Sequence, residues 1–253
     1  MELNFKTFGE GEPVIILHGL FGMLDNWQTF GKKLAEEYQV FLIDQRDHGK
    51  SPHTEAFNYK LLAEDLKSFI DTHKLSNVRL IGHSMGGKTI MQFAIDYKEL
   101  IYKMIVVDIG VKQYTGGHEE IIAALKSIPV AEIDSRKEAD AILSKSISDQ
   151  GIRLFLMKNL TRNPMGGYRW KMNLDLLERY YPEIMGWNLL DEYSEVDTLF
   201  IRGGNSRYIL DKDETGIFNV FPNSDIETVD DAGHWVHAEK PLELLKLVLA
   251  YFE

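Results

Sequence analysis

A serine stands at the centre of the sequence Gly-His-Ser-Met-Gly, residues 82–86. A serine hydroxyl attacks a carbonyl only when a base takes its proton and hydrogen-bond donors stabilise the resulting oxyanion. Glycines two positions before and after the serine let a strand reverse sharply into a helix with the serine at the apex. Residues 78–81 predict a strand before this turn and residues 89–94 a helix after it, so we predict that Ser84 is a nucleophile rather than part of an inert glycine turn.

Two backbone N–H groups are predicted to hold the oxyanion. One belongs to the residue after the nucleophile, Met85, and the other to the loop after an earlier strand. The sequence His-Gly-Leu-Phe-Gly, residues 18–22, follows a predicted strand at residues 14–17, and Leu20 is the expected second donor. We interpret His18 as a buried structural histidine.

The base is expected late in the chain, after the last strand of the sheet. Of eight histidines, His234 follows a predicted strand at residues 226–229 and precedes an apolar C-terminal helix. His237 is a weaker candidate because it lacks the preceding glycine that would let the loop fold back over the sheet. His48 lies in a charged loop, residues 44–51, which we expect to stabilise the fold.

The acid that orients the histidine is not where it is usually found. The loop after the predicted strand at residues 198–201 has no carboxylate at the expected place, and Asp211 and Asp213 lie too far along the chain. Asp108 ends the predicted strand at residues 104–107, beside the strand that carries Ser84. Because ligands meet a parallel sheet at the carboxyl ends of its strands, we predict that Asp108 orients His234. The alternative is that Asp108 only caps the segment that follows.

The order of predicted elements indicates an α/β fold with a mostly parallel central sheet and helices on both faces. Short apolar strands at residues 14–17, 40–43, 78–81 and 104–107 alternate with helical patterns, the clearest at residues 60–73 behind Asn58. From residue 111 to 192 the pattern predicts helices, such as 118–128 and 136–148, and no convincing strand. We therefore predict a core of residues 1–110 and 193–253 with a helical cap, residues 111–192, inserted after the strand that ends at Asp108. The last helix is expected to begin at Pro241.

Composition limits the partners and the chemistry. A net charge of -11 argues against nucleic acid or an anionic membrane surface as a partner, although a local cluster such as Arg202 and Arg207 leaves acidic substrates open. The absence of cysteine excludes disulfides, thiolate metal sites and a cysteine nucleophile, and we predict no metal. No secretory signal and no apolar stretch long enough for a membrane span is present, so we expect no stable membrane insertion and a cytoplasmic monomer or homodimer.

The cap is expected to provide the apolar pocket for an acyl group. Aromatic and methionine side chains in and near it are the candidates, although such residues lie in a core more often than in a pocket. The candidates are Tyr114, Met165, Trp170, Met172, Trp187 and Tyr208.

Taken together, these motifs resemble the α/β-hydrolase fold family over the whole chain, through residues 18–19, 44–51, 82–87 and 233–235. Residues 200–206 and 233–241 are similar to the YbfF-type bacterial esterases and their mitochondrial relatives. That resemblance implies hydrolysis of small-molecule carboxylic esters, and of acyl thioesters such as acyl-CoA, without a cofactor. It also implies an aspartate after the earlier strand, which is Asp108 in this chain.

Other activities of the same fold remain as alternatives. Haloalkane dehalogenases and epoxide hydrolases are disfavoured because they need an aspartate where Ser84 stands. Carbon-carbon bond hydrolysis and cofactor-free perhydrolysis would use the same triad as an esterase. A ligand receptor with little turnover is a further alternative, because one fold can support several functions.

Overall fold

A seven-stranded sheet with spatial order β1-β3-β2-β4-β5-β8-β9 organises the chain, and the computed structural model describes all 253 residues. The nine strands are β1 (Phe5–Phe8), β2 (Pro13–Leu17), β3 (Gln39–Ile43), β4 (Val78–His83), β5 (Ile101–Val107), β6 (Leu160–Arg162), β7 (Tyr168–Trp170), β8 (Thr198–Gly203) and β9 (Ser224–Val229). Within the sheet only β1 is antiparallel to its neighbour, and β6 and β7 form a separate hairpin. The carboxyl ends of β2, β4, β5, β8 and β9 therefore share one edge, where a site is expected.

Helices connect the parallel strands and cover both faces of the sheet. They are α1 (Gln28–Leu34), α2 (Tyr59–Thr72), α3 (Met85–Asp96), α4 (Glu119–Lys126), α5 (Arg136–Leu143), α6 (Gln150–Met157), α7 (Leu174–Arg179), α8 (Tyr181–Gly186), α9 (Glu214–Val220), α10 (Val236–Glu239) and α11 (Pro241–Phe252). None of them has both the length and the apolar character that a membrane span requires.

Side chains alternate along the strands and build a core on each face. In β2, Ile15 and Leu17 pack in a cluster with residues of α2, α3 and α9. Val14 and Ile16 point to the other face and pack with residues of α1 and α11. The predicted fold class, a mostly parallel sheet with helices on both faces, is confirmed.

Most predicted elements are found close to their expected bounds. The Asn58 side chain accepts a hydrogen bond from the Leu61 N–H at 2.8 Å and starts α2, and Pro241 occupies the first turn of α11. The edge strand β1 was not predicted, because half-exposed side chains leave no apolar run. Helix α5 ends at Leu143, earlier than expected, and the Ser144 hydroxyl there donates to the Ala141 carbonyl at 3.0 Å in competition with helix continuation.

The prediction that residues 111–192 contain no strand is wrong. The short hairpin of β6 and β7 lies among the five helices of this segment, and strands of three residues are too short to show a periodic pattern. The segment also has its own hydrophobic cluster, which continues onto Leu20, Phe21 and Met85 from the sheet edge. Residues 111–192 are therefore packed directly above the loops after β2 and β4.

Candidate active site

Ser84 lies at the junction of β4 and α3 in a strained backbone conformation, with φ 53° and ψ -116°. The two glycines of the motif are sterically required there. A Cβ on Gly82 would lie 2.4 Å from the Gly86 carbonyl oxygen, and one on Gly86 would lie 2.4 Å from the carbonyl oxygen of Leu17. The close approach of α3 to β2 places the Ser84 hydroxyl at a helix N-terminus, where partial positive charge favours an anion.

The loop after β2 passes directly over Ser84. A Cβ on Gly19 would lie only 3.2 Å from the Ser84 Cβ, so Leu20 follows immediately beside the serine. Met85 is the first residue of α3, and N–H groups of a first helical turn have no partner within the helix. Leu20, Met85 and Ser84 line one cavity, which brings the two predicted oxyanion donors next to the predicted nucleophile.

His234 and Asp108 are joined by a hydrogen bond, in which the imidazole Nδ1–H donates to Oδ2 at 2.7 Å. Asp108 is fully buried and also has a positive φ of 52°. Its carboxylate accepts from the Ser206 hydroxyl at 2.5 Å and from the Gly203 N–H at 3.0 Å. With three donors the carboxylate is held in one orientation, and the Nδ1 bond leaves Nε2 of His234 free of the proton in the neutral ring.

Ser84 and His234 line the same cavity, although the serine hydroxyl is not hydrogen-bonded to the imidazole in this structure. Such bonds often shorten only when substrate is bound. The arrangement therefore brings the predicted nucleophile and the predicted base to one space, with the predicted acid hydrogen-bonded to the base.

The two other acids that were considered are engaged elsewhere. Asp211 forms an ion pair with Arg202 at 2.8 Å, and its side chain is otherwise exposed. Asp213 forms an ion pair with Lys112 and accepts from a backbone N–H at 2.9 Å. Of the three carboxylates considered for the orienting acid, the structure brings only Asp108 to His234.

The rival histidines are buried and packed into the fold. The His237 ring stacks on Trp27 with centroids 4.2 Å apart, and burial lowers its pKa to about 3. His18 accepts a hydrogen bond from the Gln45 N–H at 3.1 Å and donates to a backbone carbonyl, and burial lowers its pKa to about 4. His48 is held in the same way, and burial lowers its pKa to about 3. These rings are neutral structural groups at neutral pH.

Two cavities meet at Ser84. The inner cavity is small and mostly apolar, and it lies below residues 111–192. Its lining comprises Leu20, Tyr59, Ser84, Met85, Lys88, Ile109, Tyr114, His118, Ile184, Met185 and Tyr208. The outer cavity is lined by His234 and shares Phe155 and Trp235 with a larger groove. The site therefore has a small side next to Met85 and Lys88 and a side that leads into a larger groove.

Of the predicted pocket residues, Tyr114 and Tyr208 line the inner cavity. The Tyr208 ring stacks on His234 with centroids 4.0 Å apart, and the Tyr114 hydroxyl donates to the Tyr208 carbonyl at 2.8 Å. Trp187 packs behind the cavity wall, with its ring 5.3 Å from the Lys88 ammonium.

The structure does not bring the other three candidates to Ser84. Met165 is 93% exposed at the turn between β6 and β7, while Met172 is buried in the cluster of residues 111–192 and Trp170 packs against that cluster. A hydrophobic side chain in a helical insertion is equally compatible with a core, a surface or a pocket, and only packing separates these positions.

Three residues of the site were not predicted. Lys88 stands four positions after Ser84, so helical spacing alone places the two on one face of α3. His118 lines both cavities beside Ser84, and burial lowers its pKa to about 4. Ser206, whose hydroxyl donates to Asp108, lies in the loop after β8 that lacks a carboxylate at the expected place. No group of three or more histidine, aspartate or glutamate side chains is placed to hold a metal ion.

Residues 12–128 match the family model described as alpha/beta hydrolase fold. The chain is 33% identical over 240 residues to esterase YbfF of Escherichia coli, covering 94% of this chain and 92% of that protein. It is 36% identical over 247 residues to the mouse (Mus musculus) sn-1-specific diacylglycerol lipase ABHD11, covering 94% of this chain and 80% of that protein. The solved structure of a marine microorganism esterase is 44% identical, with a TM-score of 0.96 over 99% of both chains.

Proposed function

This chain belongs to the α/β-hydrolase fold family, and on that basis we propose that it hydrolyses carboxylic esters through an acyl-enzyme on Ser84. Esterase and lipase are the activities named for its relatives. The observation that supports the proposal most directly is the 2.7 Å bond from His234 to the buried Asp108, in a cavity shared with Ser84.

In the acylation step, Nε2 of His234 accepts the proton of the Ser84 hydroxyl as its oxygen attacks the ester carbonyl carbon. The oxyanion receives hydrogen bonds from the backbone N–H groups of Leu20 and Met85. Such donors are worth about 2.7 to 4 kcal/mol each, because they are aimed at charge that develops only in the transition state. Asp108 keeps the imidazole in the required tautomer and stabilises the imidazolium that forms.

The position of His234 indicates which cavity receives the alcohol part of the ester and which receives the acyl part. The imidazolium must donate its proton to the leaving alkoxide, so the alcohol part lies on the side of His234, in the outer cavity. The acyl part then occupies the inner cavity, which is lined by both oxyanion donors. Water enters from the outer side, gives its proton to His234 and attacks the acyl carbonyl. The acid product leaves and Ser84 recovers its proton.

Residues 111–192 act as a cap in this proposal. Their cluster packs on Leu20, Phe21 and Met85, and their side chains complete both cavities above the sheet edge. The cap therefore determines which acyl and alcohol groups fit, while the sheet edge performs the chemistry. Acyl thioesters fit the same mechanism, with a thiolate in place of the leaving alkoxide.

Replacement of the nucleophile tests the proposal. Ser84→Ala should lower kcat/KM for a nitrophenyl butyrate ester by at least about 10³-fold, because the remaining groups only bind and polarise the ester. Ser148→Ala, at an exposed position of the cap, is the matched control and should keep the wild-type rate. Unaltered turnover in a pure, folded Ser84→Ala protein would show that another group performs the reaction. The same assay with butyryl-CoA compares ester with thioester.

A further inference from the structure

The inner cavity contains a buried lysine. Lys88 lies on α3 one helical turn after Ser84, and the whole residue is only 2% exposed. Burial lowers the pKa of its ammonium to about 7. The other titratable cavity side chain that could be cationic, His118, is neutral at neutral pH because burial lowers its pKa to about 4. Lys88 is therefore the one side chain of the cavity that is partly protonated at neutral pH, and an anion beside it would favour the charged form.

The ammonium group is held by neutral groups. It donates to the Ile184 carbonyl at 3.0 Å, and the Met185 and Trp187 carbonyls lie at 3.4 and 3.5 Å. The rings of Tyr114 and Trp187 lie 5.0 and 5.3 Å from it, within the range of cation–π attraction. No carboxylate of the chain forms an ion pair with it within 4.0 Å, and no charged side chain offsets the effect of burial on its pKa.

A buried cation without a counter-ion is costly, because desolvation of one ion costs several kcal/mol. Only the Ile184 contact has ordinary hydrogen-bond length, so the two longer contacts are weak. An anionic group in the cavity could replace them and supply the missing counter-charge. On the exposed side of the site, Arg202 is not free to bind an anionic group, because it already forms ion pairs with Asp211 and Glu214.

We propose that Lys88 binds a carboxylate at the far end of the acyl group, so that the preferred substrates are half-esters of short dicarboxylic acids. This rests on the proposed function, because it requires the acyl group to lie in the inner cavity. Ser84 and Lys88 both line this small cavity, so only a short acyl chain fits between them. The net charge of -11 repels anions in general, and a cation inside the cavity compensates for that repulsion locally.

The test compares acyl groups of equal length with and without the charge. Monobenzyl succinate and monobenzyl glutarate are compared with benzyl butyrate and benzyl pentanoate, and benzyl alcohol release is measured. In the wild-type protein kcat/KM should be about 10- to 100-fold higher for each half-ester than for its neutral counterpart, the range for a hydrogen bond to a charged group. Equal rates, or a preference for the neutral esters, would overturn the assignment without any variant.

Variants of Lys88 then test whether this side chain causes the preference for half-esters. Lys88→Met should lower the ratio of half-ester to neutral-ester kcat/KM by about 10- to 100-fold, and Lys88→Arg should retain part of the preference. Lys145→Met, at an exposed cap position, controls for the loss of one positive charge and should keep the wild-type ratio. If Lys88→Met lowers both rates in proportion, the lysine only supports the cap or the oxyanion, and the proposal is wrong. Absence of turnover of all four esters by wild type would instead contradict the proposed function.

Discussion

Asp108 is the residue on which the proposed chemistry depends most after the serine. Its positive φ of 52° is an unfavourable conformation for a side chain with a Cβ, and such strain persists only where surrounding contacts impose it. Those contacts are the Ser206 hydroxyl, the Gly203 N–H and the His234 ring. The backbone turn directs the carboxylate back towards the end of β8, where it meets the imidazole.

Replacement of the Asp108 carboxylate by an amide tests whether its negative charge is required. Asp108→Asn keeps the size of the side chain but removes the charge and can favour the wrong tautomer of His234, so kcat should fall by about 10⁴-fold. Asp211→Asn, at an exposed carboxylate paired with Arg202, is the control and should retain the wild-type kcat. Ester hydrolysis across the pH range measures both. Loss of activity in Asp211→Asn alone would place the acid in the late loop instead.

At the scale of elements, the closeness of α3 to β2 creates the site. The N-terminus of α3 is packed so tightly against the end of β2 that no side chain fits at Gly86. A bulkier residue there would move the helix away from the loop that carries Leu20. The distance between the two proposed oxyanion donors, Leu20 and Met85, would then change, even though neither had been mutated.

Gly86→Ala tests this packing. Its Cβ would lie 2.4 Å from the Leu17 carbonyl oxygen, so we expect a loss of about 1 to 3 kcal/mol in the free energy of unfolding and a lower kcat. Gly216→Ala is the matched control, because its Cβ inside α9 would make only ordinary contacts at 3.4 Å or more. That control should be neutral or more stable by up to about 1 kcal/mol. Urea unfolding and ester hydrolysis measure both, and a Gly86→Ala protein as stable and active as wild type would show that the helix is not so constrained.

At the scale of the whole molecule, buried neutral histidines connect stability with pH. His18 and His48 each donate through Nδ1 to a backbone carbonyl and accept a backbone N–H at Nε2. Protonation of Nε2 would turn that acceptor into a donor facing another donor. Burial also disfavours the charged rings, and it lowers the pKa of His18 to about 4 and that of His48 to about 3, from 6.5 in an unfolded chain.

The sign of the pH effect follows from these pKa values. Between about pH 6.5 and about pH 4 the unfolded chain binds more protons than the folded one, so the free energy of unfolding falls as the pH falls. The contribution of each histidine is complete above its unfolded pKa and changes by at most about 1.4 kcal/mol per pH unit. Urea midpoints should thus decrease from about pH 7 to about pH 5. His18→Gln should show a shallower dependence, and a midpoint independent of pH in wild type would contradict the proposed cause.

The sequence by itself determined the features that depend on local backbone chemistry. The glycines around Ser84 specify a sharp strand-to-helix turn, and alternating apolar residues specify the strands on either side. The position of Asp108 was also predictable, because carboxyl ends of neighbouring parallel strands meet at one edge whatever their separation along the chain. His234, 126 residues away, reaches the same edge for the same reason.

The tertiary structure alone decided which side chains surround that edge. Met165 and Tyr114 both lie within residues 111–192, yet the first is exposed to solvent and the second lines the inner cavity. Ser206 supports Asp108 and Lys88 enters the cavity because separate parts of the chain pack together there. Such contacts depend on the packing of side chains from distant segments, which no local pattern encodes, whereas turns and strand ends follow from the conformational limits of neighbouring residues.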